Sequence, residues 1–444
     1  MTVRLPVAAG LAVMALLGCA DREEPPACTP SKGTICTVVG NGDPAFYGDG
    51  GRALRAALYQ PLEVLPGPEG LLFVLDWSNH RVRQVDGHGT ITTIAGTDGL
   101  GDGPDGPALT HHLNHPVGLA LDAAGDLMVA AWHNSKIKRL KRSEGLLLDF
   151  CGSGRRAYFG DGRPAREADL DLPSSLAYDR QGRLVFAEQG NHVIRRIRLD
   201  GTLETIAGQC IVEQSLTPDG EGLGAAHCEA AEVPRRCSDG LDAAGRPIAS
   251  DKRYCGTVAP KDVSSVCENP CSAAFGGDGG PATSARIASS SADPGDRFVL
   301  DHDDHIFLAD TGNSRIRRID ARSGVITTVA GRGDVRMASG GYSGDGGPAT
   351  DADLNFPSDV AVAHDGTIFI ADTYNHCVRR VDPQGVISTF AGRCRVRGDT
   401  GDGGPPSEAL LKKPYGVALA ANGDLYIADT NNHRIRVVLG AATP

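Results

Sequence analysis

One sequence pattern recurs along most of this chain at intervals of about 57 residues. Each copy carries a Gly-Asp-Gly motif and, 27 residues later in four copies, an acidic residue at the end of an apolar run. A polar stretch follows, such as Asn432-His-Arg-Ile-Arg436 in the last copy. Because sequence repeats stack on their neighbours, six copies predict one continuous array rather than several separate domains.

Each copy contains four short runs of strand-forming residues, separated by turn signals such as Asp-Pro-Gln-Gly. Four antiparallel strands make one blade, so six copies predict an all-β fold, a six-bladed β-propeller. Residues 35–40 correspond to a fourth strand without a blade, and residues 433–438 correspond to a third strand that lacks a fourth. We therefore predict that these two segments pair and close the ring, which removes two exposed sheet edges.

The repeats resemble NHL repeats, in the variant with Gly-Asp-Gly-Gly-Pro-Ala-Thr that is common in bacterial extracellular proteins and related to the propeller of teneurins. The resemblance covers residues 35–438 apart from one insertion. It implies a six-bladed propeller whose loops bind proteins or glycans, and a minority of relatives are enzymes. The third strand departs from simple alternation, since Ile316 and Ile319 lie three residues apart, which predicts a bulge or a strand buried on both faces.

The N-terminus has the pattern of an export signal. Arg4 is followed by an apolar run from Val7 to Leu17, which is too short to span a bilayer as a helix. The run ends in Leu16-Leu17-Gly18-Cys19, which resembles a bacterial lipobox. We therefore predict a lipoprotein signal peptide over residues 1–18; the alternative is an ordinary cleaved signal peptide with an incidental cysteine.

Lipidation at Cys19 would make residues 19–34 a tether between the membrane and the propeller. Ala20 replaces the aspartate that retains such proteins at an inner membrane. The protein is thus expected to be exported and anchored at the outer membrane, on its periplasmic or cell-surface side.

Export also accounts for the 12 cysteines, because an oxidising compartment lets them pair. Setting Cys19 aside leaves an odd number, so at least one is free. Cys151 is the candidate, since sibling copies have alanine there, and we expect it to be buried. The disulfide candidates are Cys28, Cys36, Cys210, Cys228, Cys237, Cys255, Cys267, Cys271, Cys377 and Cys394.

Residues 209–274 form a Cys-rich insertion within the fourth repeat. It contains few large apolar residues, so it cannot form a hydrophobic core of its own and needs disulfide bonds for stability. A zinc knuckle is the rival interpretation, but the segment has no Cys-x-x-Cys pair. We expect the insertion to decorate one face of the ring and to contribute partner specificity.

The residues that recur in every blade are interpreted as structural, because a catalytic site needs one copy. In the Gly-Asp-Gly-Gly motif we expect the aspartate to cap local backbone NH groups and the glycines to take left-handed angles. We expect Asp310 and its equivalents to pair with Arg315 or Arg317 and their equivalents. Ala131 stands in this acidic position in the second blade, which suggests that a single loss is tolerated.

A His-His-x-x-His pattern at His111, His112 and His115 could hold a metal at helical spacing. Pro116 disfavours helix at His115, so we predict no metal site there. No Walker loop, His-Glu-x-x-His or dinucleotide fingerprint occurs, and no cofactor is predicted.

Function is expected where the repeat varies. The first strand of each blade should line the central channel, and the variable positions near its start are candidate ligand contacts at the channel mouth. These positions are Gln60, Glu63, His115, Ser174, Ser175, Asp296, Asp359, Lys413 and Tyr415. Alternatively, these residues are solvent-exposed loop positions that vary without contacting a ligand.

The sequence thus predicts a monomeric, lipid-anchored scaffold that binds a protein or glycan partner at the cell envelope, with a short tail over residues 439–444. A net charge of −11 argues against a nucleic-acid partner. The alternatives are a propeller enzyme (a lyase, lactonase or glycan-active enzyme) acting at the channel mouth, and a purely structural envelope component.

Overall fold

The computed structural model describes residue 28 and residues 31–210, 274–289, 293–333 and 341–443. Within these ranges the chain folds into six antiparallel sheets and contains no α-helix. No helix in the described part of the chain is long and apolar enough to cross a membrane. The predictions for the signal peptide, for Cys19, for most of the tether and for the interior of the insertion concern residues outside these ranges.

Each sheet is one blade, with its main strands in chain order from the axis outward; in blade 6 the chain's first strand is outermost, and blade 2 has an additional two-residue strand at its outer edge. Blades 1 to 3 comprise β2 (Pro61–Pro66), β3 (Leu72–Asp76), β4 (Arg81–Val85) and β5 (Ile91–Gly96); β6 (Gly106–Pro107), β7 (Pro116–Leu121), β8 (Leu127–Ala131), β9 (Lys136–Lys141) and β10 (Leu146–Cys151); and β11 (Pro173–Tyr178), β12 (Leu184–Glu188), β13 (Val193–Ile197) and β14 (Leu203–Ala207). Blades 4 to 6 comprise β15 (Phe298–Leu300), β16 (Ile306–Asp310), β17 (Arg315–Ile319) and β18 (Ile326–Ala330); β19 (Pro357–Val362), β20 (Ile368–Asp372), β21 (Cys377–Val381) and β22 (Ile387–Ala391); and β23 (Gly416–Leu419), β24 (Leu425–Asp429) and β25 (Arg434–Val438) with β1 (Ile35–Val39).

Short 3-10 helices connect these strands. They span Ala53–Arg55, Pro68–Gly70, Trp77–Asn79, Ala108–Thr110, Trp132–Asn134, Ala165–Glu167, Ala282–Ser284, Thr311–Asn313, Ala349–Asp351, Thr373–Asn375, Pro406–Glu408 and Thr430–Asn432.

The ring closes as the sequence predicts. β1 pairs antiparallel with β25, with Ile35 opposite Val438, so the first described strand completes the last blade. The inner strands contact one another in the order β2, β7, β11, β15, β19 and β23, and β23 contacts β2 again. Blades 1 and 4, 2 and 5, and 3 and 6 therefore face each other across the axis.

Apolar side chains between adjacent blades form the core. Phe73 and Leu75 of blade 1, for example, are buried in one cluster with Leu119 and Val129 of blade 2. Burying one such side chain contributes about 1.5–3 kcal/mol, so each blade is stabilised mainly by its neighbours.

A charge clamp, which we define as a buried third-strand cation held between two acidic side chains, links the strands of each blade. In five blades the cation is an arginine with no exposed side-chain area: Arg83, Arg195, Arg317, Arg379 and Arg436. In blade 4, Arg317 Nη1 lies 3.3 Å from Asp310 Oδ2, and Nη2 lies 2.7 Å from Oδ1 of Asp278. The expected pairing of Asp310 is therefore with Arg317 rather than Arg315.

The aspartate of the Gly-Asp-Gly motif does not cap its own loop as expected. Asp345 Oδ1 accepts from Arg379, and its Oδ2 accepts from the backbone NH and hydroxyl of Thr389 at 3.1 and 2.7 Å. This carboxylate therefore ties the third strand to the fourth. The expected left-handed glycines are confirmed: Gly344 and Gly346 have φ of 91° and 83°. A Cβ on Gly344 would lie 2.6 Å from that of Ala352.

The expected irregularity of the third strand is confirmed. Pairing of β17 with β18 shifts register between Ile316 and Arg317, and Ile316, Arg317 and Ile319 are all buried. The strand thus buries side chains on both faces: Ile316 packs in the cluster shared with blade 5, and Ile319, on the same face as Arg317, packs in the cluster shared with blade 3.

The described cysteines agree with the predicted pairing. Cys377 is bonded to Cys394, Cys28 is bonded to Cys36, and Cys210 is also in a disulfide. Cys151 is free and buried, as predicted. The remaining candidates, Cys228, Cys237, Cys255, Cys267 and Cys271, lie outside the described residues.

Candidate binding site at the channel mouth

At one end of the propeller, two sets of loops meet around the axis, and we call this surface the mouth. The first set is the residue at the entry to each inner strand: Gln60, His115, Leu172, Asp296, Phe356 and Lys413. The second set is the middle residue of the turn after each second strand: Ser78, His133, Gly190, Gly312, Tyr374 and Asn431. The six entry residues share a positive φ between 49° and 54°, although their side chains differ. A repeated backbone thus carries six different side chains, of which those of Leu172 and Asp296 are buried.

Directly below the mouth, an ion pair between Arg297 and Glu63 closes the channel. Arg297 of blade 4 reaches across the axis, with Nη2 2.5 Å from Oε2 of Glu63 and Nη1 2.9 Å from the carbonyl of Leu62. Its Nε lies 3.7 Å from Oδ2 of Asp359. Burial raises the pKa of Glu63 to about 7, with the Arg297 charge acting in the opposite direction, and burial raises the pKa of Asp359.

Two glycines let the inner strands approach closely at this level. A Cβ on Gly416 would lie 2.4 Å from the Leu62 carbonyl, and one on Gly118 would lie 3.0 Å from the Ser174 carbonyl. Gly416 lets blade 6 approach blade 1, and Gly118 lets blade 2 approach blade 3. The Glu63 carboxylate accepts the backbone NH of Leu119 in blade 2 at 2.9 Å. The close packing leaves Glu63 facing Arg297 inside the protein.

An apolar layer forms the floor of the mouth. Leu62, Val117, Leu172 and Tyr415 are buried in one cluster, with Trp77 and Phe356 packed against it. Ligands approaching from this end therefore meet a closed floor.

Three predicted contacts lie between blades. The hydroxyl of Ser175 bonds the carbonyl and NH of Phe298 at 3.3 and 3.2 Å, and Ser174 is buried beside it. Asp296 accepts from Ser289, whose oxygen lies 3.0 Å from Nδ1 of His192. Because the hydroxyl rather than the imidazole is central, this trio lacks the geometry of a nucleophile–base–acid relay.

One wall of the mouth is built by aromatic and imidazole rings of blades 1 and 2. His115 lies 5.0 Å from Trp77 and 4.9 Å from His133 between ring centroids, and His133 stacks on Trp132 at 4.2 Å. Nδ1 of His115 and Nδ1 of His133 are 3.1 Å apart. Burial lowers the pKa of His115 to about 3 and that of His133 to about 4, so both rings are neutral at pH 7.

The facing wall belongs to blades 5 and 6. Tyr374 stacks on Phe356 with centroids 4.5 Å apart and an interplanar angle of 9°, and the ammonium of Lys413 lies 4.2 Å above the Tyr374 ring. The Tyr374 hydroxyl donates to Asp293. Tyr374 occupies the same turn position as His133, so ring-bearing residues face each other across the axis.

Polar groups join the two walls. Nδ1 of His433 accepts the backbone NH of Gln60 at 3.1 Å, and the Gln60 side chain accepts from Ser78 at 2.7 Å. On the other side of blade 6, His376 Nδ1 accepts the backbone NH of Lys413 at 3.1 Å. These bonds fix the entry residues against the preceding blade.

The His-His-x-x-His pattern does not converge. His112 is exposed and lies 2.5 Å from Thr97 Oγ1, His111 is buried beneath Gly103, and only His115 belongs to the mouth. In the described ranges no three His, Cys, Asp or Glu side chains are placed to hold a metal ion.

The predicted contacts thus divide by depth. Gln60, His115 and Lys413 belong to the mouth, Tyr415 to its floor, and Glu63 and Asp359 to the closed channel. The side chains of Ser174, Ser175 and Asp296 are buried between blades, although Asp296 is the entry residue of blade 4. Sequence reasoning missed Arg297, Trp77, His133 and Tyr374. The signal for Trp77, His133 and Tyr374 was present, since the turn after the second strand differs from copy to copy just as the entry position does; Arg297 stands where the other five copies have proline.

Both described ends of the Cys-rich insertion lie on the mouth side. Gly208, just before it, packs against the His192 carbonyl, and the carbonyl of Ala274, just after it, accepts from Asn313 at 2.9 Å. His192 and Asn313 belong to the turns between second and third strands, which form the mouth side of blades 3 and 4.

The repeats match known families over the last two blades. A model of the teneurin NHL domain matches residues 326–400, and a model of the NHL repeat matches residues 411–438. The chain is 24% identical to mouse teneurin-1 over 435 residues, which is 91% of this chain and 13% of teneurin-1. It is 26% identical to the Arabidopsis thaliana protein SUPPRESSOR OF QUENCHING 1, chloroplastic, over 340 residues, which is 74% of this chain and 30% of that protein.

The fold matches solved propellers as well. An auxiliary nutrient binding protein from Bacteroides ovatus superposes with a TM-score of 0.55 and 14% sequence identity, covering 92% of this chain and 76% of that chain. The chain spans less than a third of either curated relative, so the activities of those longer proteins do not transfer to it directly. Sequence repeats and blade geometry agree that the chain is a six-bladed β-propeller, and its residues 326–400 and 411–438 match the teneurin NHL domain and the NHL repeat.

Proposed function

We propose that the protein is a binding scaffold that presents the mouth to a protein or glycan partner. The observation that carries this proposal is the contrast at the axis: the channel is closed by Arg297 and Glu63, whereas a repeated backbone above it displays different side chains in blades 1, 2, 5 and 6. A closed floor surrounded by different side chains is suited to recognition, because a partner can bind with little conformational change in the protein.

Two further observations support this proposal. The described ends of the insertion lie on the mouth side, so a partner bound at the mouth would lie on the face from which the insertion leaves the propeller. The Bacteroides ovatus protein of the same fold is described as an auxiliary nutrient binding protein, which is consistent with a propeller that binds.

We also propose that the protein is exported and anchored by a lipid on Cys19, with the tether holding the propeller outside the membrane. The lipobox-like sequence supports this, as do the disulfides, which need an oxidising compartment. Replacing Cys19 with serine should move the protein from the membrane fraction to the soluble envelope fraction. Unchanged fractionation would contradict the lipid anchor.

The binding role can be tested by affinity capture from envelope extract with two single variants. Tyr374→Ala alters the mouth, whereas His302→Ala alters a stacked histidine pair with His364 in turns at the far end of the inner strands. We expect the mouth variant to lose partners that the wild type and the far-face variant retain. Identical partner sets for all three proteins would overturn the proposal.

A further inference from the structure

We infer that a basic patch beside the mouth, at the seam between blades 5 and 6, binds a linear anionic polysaccharide through its arginine side chains. The patch consists of Arg393, Arg395, Arg397 and Lys412. It adjoins the mouth but shares no residue with it, so this inference goes beyond the proposed function and does not depend on it.

The first argument comes from equivalent loops in other blades, where acids neutralise the arginines that follow a fourth strand. In blade 5, Arg332 lies 2.5 Å from Asp353. In blade 3, Arg156 lies 2.6 Å from Asp171. Both acids belong to the segment that leads into an inner strand, four and two residues before its first proline.

Blade 6 has lost both acids. Leu410 stands at the position of Asp353, so the equivalent arginine, Arg393, meets no carboxylate there. Lys412 stands at the position of Asp171, so a further cation replaces an acid. Among the described residues, the charged groups of all four patch residues form no ion pair or hydrogen bond. These charges are therefore free to bind an external anion.

The second argument is that the backbone holds the loop in place on the mouth side. The disulfide of Cys394 joins the loop to the third strand of blade 5. The backbone NH of Arg395 donates to the carbonyl of Asn375, in a mouth-side turn, at 2.6 Å, and Arg397 forms a β-bridge with Leu411. A loop that is already fixed loses little conformational freedom when its side chains bind a ligand.

The third argument is that the cations converge and outnumber the acids around them. Burial lowers the pKa of His376, and the charges of Arg397, Lys413 and Lys412 lower it further. Two segments of blade 6 thus bring cations to one imidazole.

Two acids lie near the patch in sequence. Asp399 is exposed on the same loop and lies 4.0 Å from Arg434, and Glu408 is exposed on the adjoining 3-10 helix. Four patch cations therefore leave an excess of positive charge on a chain whose net charge is −11.

This contrast selects a thin ligand. A bilayer or a folded acidic protein would also approach the acidic remainder of the surface, whereas a single polymer chain needs only the patch, because salt screens charges beyond about 8 Å. Guanidinium groups bind carboxylate and sulfate oxygens in pairs. The disulfide indicates an oxidising compartment outside the cytosol, which favours a polysaccharide over a nucleic acid.

The test is native affinity electrophoresis in gels containing dextran sulfate or polygalacturonate, with dextran as the neutral control. We expect at least one anionic polymer to retard the wild-type protein, dextran to leave it unretarded, and retardation to fall as salt rises. The two anionic polymers distinguish a sulfated ligand from a carboxylated one.

Matched variants locate the binding surface. Arg395→Gln with Arg397→Gln removes two patch cations, whereas Arg180→Gln with Arg322→Gln removes the same charge from exposed turns on the opposite face. We expect the patch variant to bind roughly tenfold more weakly, since exposed ion pairs each contribute modestly, and the opposite-face variant to bind like the wild type. Leu410→Asp, which restores the acid found in blade 5, should weaken binding without removing an arginine.

Thermal melting of every variant separates lost binding from lost folding. Equal retardation by dextran, no retardation by either anionic polymer, or equal binding by the patch variant and the opposite-face variant would each overturn the inference. Binding to vesicles of anionic phospholipid without binding to a polysaccharide would also overturn it. Tyr374→Ala should bind the polysaccharide like the wild type, so capture of a partner through the mouth stands or falls separately.

Discussion

Blades 2 and 5 face each other across the axis and share the same strand order, yet they build the charge clamp differently. In blade 5, the guanidinium of Arg379 lies 2.5 Å from Asp345 and 3.4 Å from Asp372, and Thr389 completes the network. One acid from the Gly-Asp-Gly loop and one from the second strand thus hold one buried cation.

In blade 2 the acid of the second strand is absent, since Ala131 stands there. Lys138 replaces the arginine, with its ammonium 2.7 Å from Asp102 and 2.6 Å from Asp149. Asp149 occupies the fourth strand, where blade 5 has Thr389, and Lys136 contacts the same two acids at 2.6 and 2.7 Å. The apparent loss at Ala131 is therefore compensated by an acid on another strand.

This difference shows that the requirement is a buried cation between two acids, and not a particular residue at each position. An arginine reaches two separated carboxylates with its planar fork, whereas a lysine is a compact charge that needs both acids close to one point. Moving one acid from the second strand to the fourth satisfies the lysine.

The largest expected effect is from removing the blade 5 cation. Arg379→Met would leave Asp345 and Asp372 without their counter-charge, and breaking a buried pair from one side costs about 3–5 kcal/mol. Urea denaturation should show this loss. Arg380→Met, on the neighbouring partly exposed arginine, is the matched control, and a similar loss in both variants would contradict the clamp.

Removing one acid from the same clamp should cost less. Asp372 Oδ1 accepts the backbone NH of Asn355 at 2.8 Å, and Oδ2 accepts from Asn375 at 2.9 Å, so Asp372→Ala breaks several buried bonds at once. We expect a loss of about 2–3 kcal/mol in free energy of unfolding. Asp351→Ala, on an exposed aspartate of the same blade, should change stability by less than about 0.5 kcal/mol. A melting temperature unchanged by Asp372→Ala would show that this acid is dispensable.

Blade 2 allows a rescue experiment. Asp149→Thr should destabilise by about 1–2 kcal/mol, because Lys136 and Lys138 would then share only Asp102. Adding Ala131→Asp restores the arrangement of the other blades and should recover part of that loss. A double-mutant cycle measures this coupling, and simple additivity would mean that position 131 cannot supply the missing charge.

The smallest expected effect concerns pH at the mouth, where His133 of blade 2 stands opposite Tyr374 of blade 5. The pKa of His115 and that of His133 are lowered in the folded state, so below the unfolded value near 6.5 the unfolded chain takes up protons that the folded chain does not. Stability should therefore fall as pH drops from about 6.5 towards 4, by about 1 kcal/mol for each of the two histidines over the first unit.

Unfolding curves at several pH values check this expectation. His115→Phe should flatten the dependence, whereas His88→Gln, on an exposed turn, should leave it unchanged. The same slope in His115→Phe and in the wild type would show that this ring does not cause the effect.

Much of the fold was predictable because its signals are local. The strand runs, the turn residues and the complementary ends at residues 35–40 and 433–438 lie within single repeats, and β1 pairs with β25 as predicted. The free, buried Cys151 also followed from comparing equivalent positions, since one copy has cysteine where its siblings have alanine.

The candidate site was only partly predictable. Comparing repeats identified Gln60, His115 and Lys413 at the mouth, but it gave the same weight to Glu63, which packs inside the channel. Depth cannot be obtained from a repeat alignment, because neighbouring residues of an inner strand alternate between the axis and the blade core. Tyr374 and His133 were missed because their turn was treated as part of the scaffold.

The sequence by itself determined the number of blades, their strand order and how the ring closes, since repeat spacing and turn chemistry act over short stretches of chain. Only the tertiary structure decided that Arg297 closes the channel against Glu63, that Asp149 compensates for Ala131, and that ring-bearing side chains of blades 2 and 5 face each other. These contacts join residues far apart in sequence, and they exist only once six blades surround one axis.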